Sequence, residues 1–288
     1  YSEEHDGVKR VIEYGRPWSR LKSTYYMLDL YDETKDKRWE DCFISEWRIT
    51  EPTIKTKLFN PKTKKEEEIT WNKGDLAMIA TKRVWTKEQI EAKWPVFVFL
   101  PDSMRNDIDP SKDVQSATNP NAEWPANTKF CYYKMYPYIV KHLDPSRPEV
   151  NTTNGSRDVF VERFGETYLL AAEAAYLLNN KTKAAGYINV IRNRAAIPGK
   201  ESEMNVDPSI IDIDFILDER GRELAGEMHR WYDLLRTGKM LERLNNPKIY
   251  YQNAGKIKDY NVLRPIPRNQ LTNMSNPEDF PQNPGYSD

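Results

Sequence analysis

Apolar residues recur at helical spacing through the second half of the chain. Phe160, Phe164, Tyr168, Ala171, Ala172, Ala175 and Leu178 form one stripe, and Ala184, Ile188, Ile191 and Ala195 form a second after the polar turn at residues 179–182. Two stripes joined by so short a link predict an antiparallel helical hairpin. The small alanines allow close approach of the helices, as in tetratricopeptide-like units, although the full repeat consensus is not met. A third helix is expected from near Ile210, where Asp207-Pro208-Ser209 offers a cap and a first-turn proline. Its stripe is Ile213, Ile216, Leu217 and Leu224, and Gly226 ends it before a further helix reading R-W-Y-D-L-L-R. Arg220 falls on the same apolar face. An unpaired buried charge is too costly, so a structural ion pair from Arg220 to Glu166 or Glu173 of the hairpin is expected.

The first half is patterned differently. Short extended runs such as C-F-I-S-E-W-R-I and F-C-Y-Y-K-M alternate with turns and proline-containing links, and V-F-V-F-L at residues 96–100 reads as a buried strand. N-P-K-T-K-K-E-E-E from Asn60 predicts a solvated hairpin tip, and Thr86 caps a short helix stopped by Pro95. Residues 102–127, polar and punctuated by prolines, predict a long surface loop. The expected fold class is mainly α: tetratricopeptide-like hairpins with an irregular, loop-rich region containing short β-strands. The expected division is a loop-rich region at 1–157, a helical core at 158–246 and an extended tail at 247–288. Pro265, Pro267, Pro277, Pro281 and Pro284 are expected to keep that tail free of helix.

Composition excludes several classes. The 43 basic and 44 acidic residues leave a net charge of -1, so no long-range field attracts nucleic acid. No apolar run approaches the roughly 18 residues that a membrane-spanning helix needs. Cys42 and Cys131 make no cysteine framework, leaving one bridge or two buried thiols open. His5, His142 and His229 lie apart from one another, so no zinc spacing exists and no metal or cofactor is expected. Asp102, Asp107, Asp109 and Asp113 share a loop without the register of a twelve-residue calcium site. Walker A, dinucleotide and G-x-S-x-G signatures are absent.

Four blocks in order carry a family resemblance: R-F-G-E-T-Y-L-L-A-A-E-A with I-N-V-I-R-N-R-A, then E-R-G-R-E-L-A-G-E-M-H-R-W-Y-D-L-L-R, then L-R-P-I-P, then Q-N-P-G-Y. Upstream, G-R-P-W-S-R-L-K-S-T-Y-Y-M-L-D-L-Y-D, K-D-K-R-W-E-D-C-F, K-G-D-L-A-M and L-D-P-S-R fit as well. The chain resembles the SusD/RagB family over nearly its whole length, and its C-terminal portion above all. That resemblance implies a non-enzymatic lipoprotein of the outer membrane. Such a protein captures oligosaccharide at the cell surface and delivers it to a SusC-like TonB-dependent transporter. It also implies a signal peptide, a lipid-modified cysteine and a long helical N-terminal half, none of which stands in these 288 residues. The chain therefore reads as one portion of a larger product, with part of any ligand site on the missing N-terminal half.

Flat aromatic faces stack on the C–H faces of sugar rings while neighbouring polar groups bond the hydroxyls. Trp71, Trp85, Trp94 and Trp124 stand among polar, turn-forming residues and are the candidate ligand-binding platforms. Trp39 and Trp47, inside strand-like text, and Trp231, on a helix, read as core. Glu166, Glu173, Glu219 and Glu223 read as ion-pair partners within helices, not as the two carboxylates of a glycoside hydrolase. A peptide-binding or transporter-lid role within the same family is the alternative to glycan capture.

Overall fold

The computed structural model describes residues 5–15, 23–82, 85–101, 125–131, 136–250 and 255–287. The strands are β1 (Phe43–Ile44), β2 (Glu46–Arg48), β3 (Thr53–Asn60), β4 (Lys65–Asn72), β5 (Leu76–Ala80), β6 (Phe97–Pro101), β7 (Thr128–Cys131) and β8 (Tyr138–Ile139). The helices are α1 (Tyr25–Asp29), α2 (Arg38–Cys42), α3 (Lys87–Glu91), α4 (Phe164–Leu177), α5 (Lys181–Arg194), α6 (Glu201–Met204), α7 (Ile213–Glu223), α8 (Arg230–Arg236), α9 (Met240–Leu244), α10 (Pro247–Tyr250) and α11 (Arg268–Thr272). Among the described residues helix, at 38%, outweighs strand, at 15%. It divides into two compact units, one of Tyr1–Ser23, Tyr31–Glu162 and Ala195–Ile197, the other of Thr24–Leu30, Arg163–Arg194 and Pro198–Asp288.

The first unit is built on the four-stranded order β2-β5-β6-β7, antiparallel between β2 and β5 and parallel thereafter. Its inner strand β6 carries V-F-V-F-L. Val98, Phe99 and Leu100 are all buried, as a strand covered on both faces requires. Beside this sheet stands the hairpin β3–β4, where Ile54 pairs with Trp71 and inward positions alternate with lysines and glutamates. The turn closes through Asn60, whose Oδ1 accepts from Lys62 N at 2.9 Å while its amide donates to Glu67 at 2.9 Å. The tip is thus shorter than expected, since Lys65 to Glu68 already belong to β4. Val8, Trp47, Ile49, Trp71, Met78 and Phe99 form the core between hairpin and sheet. The polar loop expected at 102–127 falls outside the described residues as far as residue 124, together with Asp102, Asp107, Asp109 and Asp113. Cys131 contributes its backbone to β7, and its side chain lies outside what is described.

The second unit is the helical hairpin α4–α5 with α7 packed across it. Leu169, Ala172, Ala175, Ala184, Ala185, Ile188, Ile191, Ile211 and Ile216 form its core. The stripe on α4 is rotated from the expected one. Phe164 is 72% exposed and Leu178 80%, whereas Glu166 and Glu173 turn inward. The charges go in because cations of α7 and α8 meet them there: Arg220, itself 2% exposed, donates to Glu166 Oε1 at 3.1 Å and to Asp233 Oδ2 at 2.7 Å. Glu173 is taken by Arg236 instead of Arg220. Glu219, fully buried, accepts from Arg192 and Arg222, both at 2.7 Å.

Two boundaries differ from expectation. Asp207 caps only a 3-10 turn, Pro208–Ile210, and the long helix starts at Ile213 because Asp212 accepts from Phe215 N at 2.7 Å. In the tail a helix does form. α11 fits between prolines because Pro267 stands at its N-cap, where the missing N–H is not needed, and Pro277 opens a separate 3-10 turn. Gln282 then ties the chain back, accepting from Ile266 N at 2.7 Å and donating to Ile266 O at 2.9 Å. Among the described residues no helix is long and apolar enough to cross a membrane, and no cluster of His, Cys, Asp or Glu is grouped to hold a metal.

Candidate functional site

The four candidate tryptophans do not form one platform. Trp71 occupies an inward register position of β4, is 4% exposed, and donates from Nε1 to Thr56 Oγ1 at 3.3 Å. It is a core residue, and the expectation of an open stacking face is corrected. The polar turn after it was a misleading signal, because strand alternation and not neighbouring composition sets which side a ring faces. Trp85 precedes the Thr86 cap of α3 and packs on Ile90, Val98 and Leu100. Residues immediately before the cap and at the fourth helical position form a hydrophobic staple, which accounts for this ring structurally. Trp94 is half-buried and donates from Nε1 to Phe59 O at 3.1 Å, tying α3 to the hairpin. Trp124 lies outside the described residues.

A cleft of about 530 Å³ lies elsewhere in the first unit, lined by Tyr14, Glu33, Asp36, Lys37, Trp39, Glu40, Phe43, Ile44, Ser45, Glu46, Arg48 and Ile197. The wall is made by α2 running directly into β1. One helical turn separates Trp39 from Phe43, and their rings stack with centroids 5.1 Å apart at 25°. Tyr31 meets Phe43 edge-on at 5.3 Å, so the stack is braced from behind. On β2 the alternation sends Trp47 into the core and leaves Glu46 and Arg48 exposed on the opposite face. Tyr14 is fixed beside them, its hydroxyl accepting from Arg48 N at 2.8 Å.

Charge in the cleft is largely paired. Asp36 accepts twice from Arg38, at 2.9 and 2.8 Å, and both side chains are buried. Glu33 meets Lys82 at 2.5 Å, and the same ammonium lies 5.1 Å from the Trp39 ring centroid. Glu46 and Arg48 pair at 3.2 Å with about half of each side chain exposed, so their remaining lone pairs and N–H groups can reach solvent or solute. An aromatic surface flanked by a carboxylate and a guanidinium can stack an apolar ring face and bond hydroxyls in fixed directions. Sequence reasoning assigned Trp39 to the core. The i,i+4 pair Trp39–Phe43 followed by the alternation Glu46-Trp47-Arg48 was the available signal.

Residues 4–286 match the model of the SusD family. The chain belongs to the SusD family. Among SusD family relatives, SusD-like protein P25 of Formosa agariphila is 34% identical over 137 residues, 47% of this chain and 26% of that protein. SusD-like protein P2 of the same organism is 30% identical over 174 residues, 53% of this chain and 34% of that protein. SusD-like protein P38, also from it, is 35% identical over 102 residues, 33% of this chain and 19% of that protein. The matched segments therefore span a minority of each SusD-like relative, and P25 is nearly twice as long as this chain.

Proposed function

We propose that the protein binds oligosaccharide or polysaccharide at the cell surface, without altering it, and passes it to a SusC-like TonB-dependent outer-membrane transporter. In this reading it is a cell-surface lipoprotein, and α4–α5 is a tetratricopeptide-like scaffold unit. The carrying observation is the cleft beside α2, where the Trp39–Phe43 stack and Tyr14 adjoin the exposed Glu46–Arg48 pair. Family membership over residues 4–286 supports the class of ligand. A non-catalytic role is supported by membership of the family.

Affinity electrophoresis of the full-length protein against a panel of polysaccharides tests the reading. Retardation by at least one glycan, lost in Trp39→Ala, is the expected result. Absence of retardation by every glycan would overturn it. Co-purification with the transporter in that case would favour the lid role, and release of reducing sugar would establish hydrolysis.

A further inference from the structure

His5 is buried in the first unit, and histidine is the side chain whose ordinary titration falls between neutral and mildly acid solution. Its ring packs against Trp71 of β4, with centroids 5.1 Å apart at 78°, and against Phe97 of β6, at 5.6 Å and 60°. Nδ1 accepts from Gly7 N at 3.1 Å, so the ring is the neutral tautomer that carries its proton on Nε2. A proton on Nδ1 would turn that acceptor into a second donor facing the Gly7 N–H, and would set a charge between two aromatic rings. Burial accordingly holds the imidazole below its ordinary pKa of 6.5; Asp6, which pulls the other way, is the one charged group whose field acts on it among the described residues.

The residues after His5 are seated through the same contact. Val8 N donates to His5 O at 3.0 Å, and the Val8 side chain is wholly buried in the core with Trp47 and Trp71. Gly7 O accepts from Thr50 N at 2.9 Å, and Lys9 N donates to Thr50 Oγ1 at 2.8 Å. The fit is close: a Cβ at Gly7 would lie 2.6 Å from Ile54 Cδ1 and 2.7 Å from Ile49 Cδ1. The same segment then delivers Tyr14 to the cleft, where its hydroxyl accepts from Arg48 N at 2.8 Å and its carbonyl accepts from the Tyr138 hydroxyl at 2.9 Å.

We infer that His5 is a pH-sensitive latch, whose protonation releases residues 5–9 from the core of the first unit and loosens Tyr14 in the cleft wall. The sign follows from burial. A released histidine titrates near 6.5 and the seated one binds its proton more weakly, so the latch is complete above that value and weakens as pH falls below it. Mildly acid solution therefore opens this segment while the carboxylates, which titrate lower, are still ionised. The latch stands on the geometry around His5, whatever ligand the cleft receives.

Hydrogen exchange of the full-length protein at about pH 7.5 and about pH 5, corrected for intrinsic rates, tests it. The amides of Gly7, Lys9 and Thr50 are the reporters, and that of Val98 in β6, which donates to Asn127 O at 2.9 Å, is the control. Opening at the reporters is expected to rise about tenfold at the lower pH, with Val98 unchanged. His5→Phe keeps a ring between Trp71 and Phe97 and should abolish the rise. Asp6→Asn removes the carboxylate that favours the proton and should carry the rise to lower pH, which keeps the test valid if His5→Phe fails to fold. An equal rise at Val98 would overturn the inference in favour of global acid unfolding. Reporters indifferent to pH would overturn it too, as would a wild-type profile retained by both variants.

Discussion

Arg220 and Asp233 form a 2.7 Å bond between two side chains that are each almost wholly removed from water. The same guanidinium reaches Glu166, so one cation joins α4, α7 and α8. Replacing it by Met takes a cation from two buried carboxylates, leaving Asp233 to Arg236 alone, and a loss of about 3–5 kcal/mol is expected, read as a fall in the urea midpoint. Arg220→Lys should recover little, because a point-charge ammonium cannot hold both partners in the geometry of the fork.

Two tryptophans are expected to separate stability from binding. Trp71→Ala opens a cavity between hairpin and sheet and should cost about 3–5 kcal/mol. Trp39→Ala removes a half-buried ring and should cost about 1 kcal/mol, while abolishing glycan retardation. Denaturation and electrophoresis on the two variants check the contrast, and equal stability losses would argue against it.

Asp144 gives a pH signature. Its carboxylate accepts from the Ser146 hydroxyl and from the backbone N–H groups of Ser156, Ser146 and Arg157, which together hold it at about 2. An unfolded aspartate titrates near 3.9. The folded state binds the proton more weakly, so the stabilisation is complete above about pH 4 and disappears as pH falls toward 2. In Asp144→Asn the decline in urea midpoint between these values should be shallower than in the wild type, with the two curves converging at the acid end.

Gly165 marks a place where a single carbon is too much. A Cβ there would lie 2.7 Å from Arg163 Nη1 and 2.8 Å from Glu223 Oε1, inside an ion pair that fixes the start of α4. Gly165→Ala is expected to destabilise by about 1–3 kcal/mol despite the higher helix propensity of alanine. A rise in the thermal midpoint would contradict this account.

The helical hairpin and the strand at Val96 to Leu100 were readable because periodicity and run length are local signals. The rotation of the α4 stripe was not. Phe164 and Leu178 look like core residues until the arginines of α7 and α8, supplied from elsewhere, draw Glu166 and Glu173 inward. The cleft was hidden for a related reason. Tyr14, the segment from Glu33 to Arg48 and Ile197 are far apart in sequence, and no local pattern announces that they meet. Trp71 shows the converse error, in which polar neighbours concealed an inward strand position. Asp207, by contrast, was legible as a cap, although it caps a short 3-10 turn and the long helix starts at Asp212 instead.

The segment Ala195–Ile197 follows α5 directly yet belongs to the first unit. Ala196 bridges to Asp36, Lys37 N donates to Ala195 O at 2.9 Å, and Ile197 lines the cleft. The polypeptide thus passes between the two units at several points and cannot be severed into independent halves by one cut. A truncation after residue 162 would take away Ile197 from the cleft lining, together with the Ala195–Ala196 backbone that pairs with Asp36 and Lys37. Any dissection of ligand capture must therefore proceed by point substitution within the intact protein.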